Sequence, residues 1–206
     1  MIEKSLRFSF AVMSGGAGRR FGADKTKAKL LNKPLYMYAI ETGLALTDDV
    51  MLVSRDSSKY KPFISGVRYF NDEYPNQCPM AGMMTAAKHA VYDRVFVLSA
   101  DAPLFTPALA AYIAEKGRGF DGAIPVIGGK NYNLAAIYSV NMLKNLEEFY
   151  NKGIYKLNIC YGNSDILFLK DSDFAKNFNI EKSFININTV ADMEKAAELV
   201  LSAKSI

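Results

Sequence analysis

A chain of 206 residues, 50% hydrophobic and 22% charged, has the composition of one well-cored globular domain and leaves too little length for two. The net charge of +4 is mild, with basic residues scattered apart from Lys25, Lys27 and Lys29, so it suits an anionic small ligand without demanding nucleic acid. Cys78 and Cys160 are too few for a zinc site or a disulfide framework, no run has the length of a membrane span, and the N-terminus shows no secretory pattern. A single cytoplasmic domain over residues 1–206, with neither nucleic acid nor membrane as partner, is the expectation.

In chain order, Phe8 to Met13 is a short apolar run that stops at Ser14-Gly15-Gly16, which predicts a buried strand feeding a turn. Pro34 opens a helical stretch to about Leu46, with Leu35, Tyr38, Ala39 and Thr42 on one face. Val50 to Ser54 and Val67 to Phe70 read as strands, and Met80 to Val91 returns to helix. Val95 to Ser99 is apolar and bounded, hence a central strand; Pro107 to Lys116 reads as helix capped by Thr106. Ala123 to Val126 and Leu134 to Tyr138 are strands flanking a turn at Gly128-Gly129. Val140 to Tyr150 is helix, Ile166 to Leu169 and Phe184 to Ile187 are strands, and Thr189 with Asp192 forms a capping box for a last helix.

Strands alternating with helices imply crossover units: an α/β, Rossmann-like three-layer sandwich with a mainly parallel central sheet covered on both faces. Its ligand crevice is expected beyond the carboxyl ends of the strands. The segment Ser14-Gly15-Gly16-Ala17-Gly18-Arg19-Arg20-Phe21-Gly22 falls there. Glycines let backbone amides approach phosphate oxygens, and Arg19, Arg20 and Lys25 supply charge. The turn fits neither the dinucleotide pattern, which needs glycine where Phe21 stands, nor the P-loop, which needs it where Asp24 stands. A phosphate site is favoured over a plain tight connection because the cations follow the glycines directly.

The stretch VMSGGAGRRFGADK resembles the L-A-G-G-x-x-x-R-M-G-x-D-K signature of nucleotidyltransferases, specifically the molybdenum cofactor guanylyltransferases. The resemblance continues through Cys78-Pro79-Met80-Ala81-Gly82 (like G-P-L-A-G), Asp101-Ala102-Pro103-Leu104 (like C-D-x-P-L) and Phe184-Ile185-Asn186-Ile187-Asn188-Thr189 (like F-x-N-x-N-T), in order along nearly the whole chain. It implies a fold of the nucleotide-diphospho-sugar transferase type. It also implies that Ser14, Gly15, Gly16, Arg20 and Lys25 wrap the phosphates of GTP, and that Pro79 to Gly82 holds the base, with Cys78 standing where the family has glycine. A plain helix start with a buried cysteine is the other reading of that segment.

Asp101 ends a buried strand, where a carboxylate is expensive without a partner; a hard cation is a natural one, and the resemblance puts Mg²⁺ there. A turn aspartate before Pro103 is the alternative. Asn186 and Asn188 alternate and so share a face, and the resemblance places them near the acceptor; Asp72 resembles an acidic position near the nucleotide. The implied reaction moves GMP from GTP to the phosphate of molybdopterin, releasing pyrophosphate. Protein partners among molybdenum enzymes or cofactor-biosynthesis proteins are compatible with it. Two readings stay open beside it: transfer to another phosphorylated acceptor, such as adenosylcobinamide phosphate or a sugar phosphate, and a non-catalytic GTP-binding delivery subunit. His89, the only histidine, sits in a predicted helix away from the motifs and reads as packing or surface.

Overall fold

The computed structural model describes residues 7–15, 28–76, 78–162, 164–176 and 178–202. Strand β1 (Ser9–Ser14) precedes a two-stranded hairpin, β2 (Lys29–Leu30) and β3 (Lys33–Pro34), helix α1 (Leu35–Leu44), and strands β4 (Val50–Ser54) and β5 (Val67–Asn71). Then come α2 (Pro79–His89), β6 (Arg94–Ser99), α3 (Pro107–Lys116), β7 (Gly122–Ile127), β8 (Lys130–Asn131), β9 (Ala135–Ser139) and α4 (Val140–Asn151). Strand β10 (Ile166–Lys170), a single-turn α5 (Ile180–Ser183) and α6 (Val190–Ser202) complete the order.

The helix starts follow local chemistry. Thr106 Oγ1 accepts from Leu109 N at 3.3 Å and Ser139 Oγ from Met142 N at 3.1 Å, while Pro79 and Pro107 occupy first-turn positions where no amide donor is missed. The capping box read from the sequence is present: Asp192 N donates to Thr189 Oγ1 at 3.1 Å, and Thr189 N returns a bond to Asp192 Oδ2 at 2.8 Å. The β2–β3 hairpin turns at Leu31 and Asn32, both in the left-handed region, the geometry of a two-residue primed turn.

The main sheet runs β10-β7-β9-β6-β1-β4-β5, with β8 paired to β7. Strand β1 is parallel to both neighbours, β4 is parallel to β5, and β10 to β7. The exception is β9, antiparallel to β6 and β7. It follows β7 through the β7–β8 hairpin, where Gly128 and Gly129 take φ of 56° and 76°. So short a return leaves no room for a crossover helix and reverses the strand.

One face of the sheet packs Phe8, Phe10, Phe96 and Leu98 against α1 and α3, with the Phe10 and Phe96 rings stacked at 5.3 Å. The other packs Met51, Met80, Met83 and Tyr138 under α2 and α4. Burial on both faces explains why β1, β4 and β6 are continuous apolar runs rather than alternating ones. A third, smaller cluster joins Leu30, Leu35, Leu104, Ile187 and Ala196. No helix among the described residues is long and apolar enough to cross a membrane.

The segment Phe184 to Ile187 is not the strand expected from its pattern: α5 ends at Ser183 and residues 184–188 are irregular. It is tied to the chain just after β6 by Ile187 N, which donates to Asp101 O at 2.8 Å. No ladder grows from it because the chain after β6 bends, Ala102 N bonding Ser99 O at 3.2 Å, and Pro103 has no amide to give. Alternation of burial survives without the ladder: Ile187 is fully buried, Asn186 half-buried and Asn188 exposed.

Gly43, in the last turn of α1, tests the packing. A Cβ there would lie 2.6 Å from Cδ1 of Phe10, a fully buried ring held in the stack with Phe96. Gly43→Ala gains about 1 kcal/mol of helix propensity but overpacks a core site at a cost of about 1–3 kcal/mol. Urea denaturation is expected to show a net loss of about 1 kcal/mol, with an unchanged m-value.

Candidate active site

Strand β1 lies at the point where the winding of the sheet reverses. The chain leaves it toward β4 and β5 on one side, then returns to β6 on the other. Ligands of open α/β sheets bind in the crevice at such a point, at the carboxyl ends of the strands. Here Ser14 is opposite Ser54 of β4, Met13 is opposite Ser99 of β6, and Ala100 N donates to Met13 O at 2.9 Å. Gly15 and Asp101 thus follow two hydrogen-bonded strand ends on adjacent positions of one rim. Ser14 Oγ is fixed by a 2.5 Å bond with Tyr60 Oη. Among the described residues, nothing lies within 4 Å of a Cβ built on Gly15.

Asp101 is half-buried, and Ser99 Oγ donates to its Oδ1 at 2.6 Å. Its backbone carbonyl accepts from Ile187 N, which brings Asn186 and Asn188 to the same rim; Asn188 Nδ2 donates to Asn186 O at 3.4 Å. The third apolar cluster holds this assembly, because Leu104 just after Asp101 packs with Ile187 and with Leu30 of the hairpin. Ser14, at the start of the glycine-rich segment, is thus held by the sheet, and Leu30 of the hairpin by that cluster. Gly16, Arg20 and Lys25, expected to grip phosphates, lie outside the described residues.

At the segment expected to hold the base, Gly82 sits one turn into α2 against the end of β1. A Cβ built there would meet Met13 Cε at 2.2 Å, so glycine permits the helix start to approach the strand end. Pro79 is exposed beside it, and Cys78 is the half-buried residue before the helix. Asp72 follows β5 at the sheet edge, its amide bonding Ser54 O at 2.7 Å. Its Oδ1 accepts from Thr85 Oγ1 and Tyr74 N, both at 3.3 Å, and so faces the middle of α2. His89 lies at the far end of α2, stacked on Phe70 at 4.0 Å and bonded to Glu73 Oε1 at 2.6 Å, the packing role read from the sequence.

Sequence reasoning missed a polar cluster on the other side of Asp101. Ser99 N bonds Leu134 O at 2.8 Å, which places Asn133 beside the end of β6. Asn133 Nδ2 donates to Asn158 Oδ1 at 3.2 Å, and Asn131 Nδ2 reaches the same oxygen at 3.5 Å. The signal was faint: Asn131 and Asn133 alternate around Tyr132, and Asn158 is remote in sequence.

A doubly wound α/β sheet whose switch point joins a glycine turn to a strand-end carboxylate is the architecture of a nucleotidyltransferase. Residues 10–159 match the MobA-like NTP transferase domain, and the chain belongs to that family. Among its relatives, a probable molybdenum cofactor guanylyltransferase of Methanosarcina mazei is 28% identical over 204 residues, covering 93% of this chain and 90% of that protein. One of the same description from Aquifex aeolicus is 28% identical, covering 89% and 87%. The crystal structure of molybdopterin-guanine dinucleotide biosynthesis protein A from Archaeoglobus fulgidus superposes with a TM-score of 0.79 at 25% identity, covering 94% of this chain and 99% of that one.

Burial pushes the Asp72 carboxyl above its ordinary value of 3.8, against the bonds from Tyr74 and Thr85 that pull it down. A raised folded-state pKa means that the folded chain holds the proton more tightly than the unfolded one. Stability is then lost as pH rises from the unfolded value through the folded one, and the loss is complete above it. Asp72→Asn keeps an acceptor for both donors and removes the charge. Its urea midpoint is expected to exceed wild type at neutral pH, the gap closing as pH falls below 3.8. A gap independent of pH would refute the assignment to Asp72 ionisation.

Proposed function

We propose that the protein is a molybdenum cofactor guanylyltransferase, joining GMP from GTP to the terminal phosphate of molybdopterin and releasing pyrophosphate. The observation that carries this reading is the direct pairing of the two strand ends, Ala100 N to Met13 O, which sets the glycine turn and Asp101 on one rim. The names of the relatives supply the acceptor.

An oxygen of the acceptor phosphate attacks the α-phosphorus of GTP. The new P–O bond forms as the bond from the α-phosphorus to the bridging oxygen breaks, and that oxygen's electron pair leaves with pyrophosphate. A phosphate monoester has its second pKa near ~6, so at neutral pH it is largely dianionic and no strong general base is needed. What the chain must do is position two anions and neutralise the leaving charge. Amides around Gly15 and Gly16, with Arg20 and Lys25, are assigned to the triphosphate, and Asn186 and Asn188 to the acceptor side.

The residues present fit Mg²⁺. Asp101 offers a hard carboxylate at a strand end, oriented by the bond that Ser99 Oγ donates to its Oδ1. Mg²⁺ is commonly held by one or two carboxylates together with the substrate's own phosphates, so a single strand-end aspartate suffices on the protein side. Bound there, Mg²⁺ would neutralise charge on the phosphates.

The test is pyrophosphate release from GTP with molybdopterin and Mg²⁺, with product mass giving the acceptor. Transfer to a different phosphorylated acceptor, or GTP binding without turnover on any, would overturn the reading. EDTA is expected to abolish turnover. Asp101→Asn is expected to lower kcat by roughly 10²–10³, the scale of losing one preorganised electrostatic contact to the transition state, while the thermal midpoint stays near wild type.

A further inference from the structure

The asparagine cluster beside Asp101 is built more firmly than a surface loop requires. Asn133 is held at its backbone carbonyl by Tyr138 Oη at 2.9 Å, at its side-chain oxygen by Tyr161 Oη, and at its side-chain nitrogen by Asn158 at 3.2 Å. Tyr138 is fully buried and Tyr161 nearly so. Burial raises both phenols further above their ordinary value, so they remain neutral donors at any working pH. Tyr161 thus holds the side-chain amide, and Tyr138 the backbone that carries it.

That fixing determines what the cluster shows. With Asn133 Oδ1 and Asn158 Oδ1 engaged as acceptors, the second N–H of Asn133, the remaining N–H of Asn131, both of Asn158, and one acceptor, Asn131 Oδ1, are left for a ligand. The presented edge is rich in donors and has no formal charge. It therefore matches the oxo and imino groups of a neutral heterocycle better than a phosphate, for which cations would serve. Its position agrees, since Leu134 is bonded to Ser99 on the side of β6 away from the glycine turn.

We propose that Asn131, Asn133 and Asn158 form a specificity element that reads the fused-ring heterocycle of the acceptor through its hydrogen-bond acceptors. This rests on the guanylyltransferase reading for the acceptor's identity, and on geometry alone for its chemistry. The residues act in binding and orientation, and the reacting atoms lie elsewhere.

The experiment separates the two claims. Binding of 6-hydroxymethylpterin, a fluorescent probe without phosphate, is titrated for wild type, Asn133→Ala and the exposed-site variant Asn158→Ala, with GTP affinity measured in parallel. Loss of one or two hydrogen bonds predicts about tenfold weaker pterin binding for Asn133→Ala and about threefold for Asn158→Ala, with GTP affinity unchanged. With molybdopterin as acceptor, the acceptor KM is expected to rise while kcat holds. Absence of pterin binding by wild type, unchanged affinity in both folded variants, or GTP affinity falling in step would overturn the proposal. Pterin binding that depends on the cluster, without GMP transfer to molybdopterin, would sink the guanylyltransferase reading and leave this assignment standing.

Discussion

Everything at the candidate site hangs from the carboxyl end of β1 and its two parallel neighbours. The strand is buried along Ser9 to Met13 and hydrogen-bonded on both edges, so its end cannot move without breaking two ladders and two apolar layers. Ala100 N extends the pairing one residue beyond β6, to Met13 O. The glycine turn therefore starts, and Asp101 is presented, from positions fixed by the core rather than by the loops themselves. This is the usual division between a rigid scaffold and chemically variable connections.

A second clamp acts across the rim. Leu30 belongs to the hairpin, Leu104 follows Asp101, and Ile187 sits between the two asparagines of the C-terminal motif; all three share one small cluster. Three segments far apart in sequence are thus tied by apolar side chains that take no part in chemistry. Met13 adds a fourth link through its contact with the start of α2, where a Cβ at Gly82 would require the Met13 methyl group to move.

Buried strands, helix caps and the switch-point carboxylate were legible in the sequence, because each is a local pattern with a local cause. Continuous apolar runs marked β1, β4 and β6, and Thr189 with Asp192 marked the last helix. Asp101 stood out because a carboxylate at the end of a buried run needs a reason. Non-local pairings were not legible. The direction of β9 depends on how short the β7–β8 return is, and the failure of Phe184 to Ile187 to form a strand depends on Pro103 and the bend after β6. The asparagine cluster joins residues 25 and 27 positions apart in sequence, and no period reveals that.

The proposed reaction sets a discrimination problem that this architecture is suited to solve. Guanine and a pterin share the same amino-oxo pyrimidine edge, and both substrates carry phosphate, so neither charge nor that edge alone tells donor from acceptor. Placement can. The start of α2 packs through Gly82 on Met13 of β1 and Val53 of β4, whereas the neutral amide cluster lies beyond β6, on the side away from β1. A flexible surface amide could flip and offer either its oxygen or its nitrogen, which would read both rings equally well. Tyr161 bonds the Asn133 side-chain oxygen and Asn158 its nitrogen, which opposes that flip, while Tyr138 holds the backbone carbonyl of the same residue. A buried hydroxyl of the core thereby helps to orient an amide on the rim.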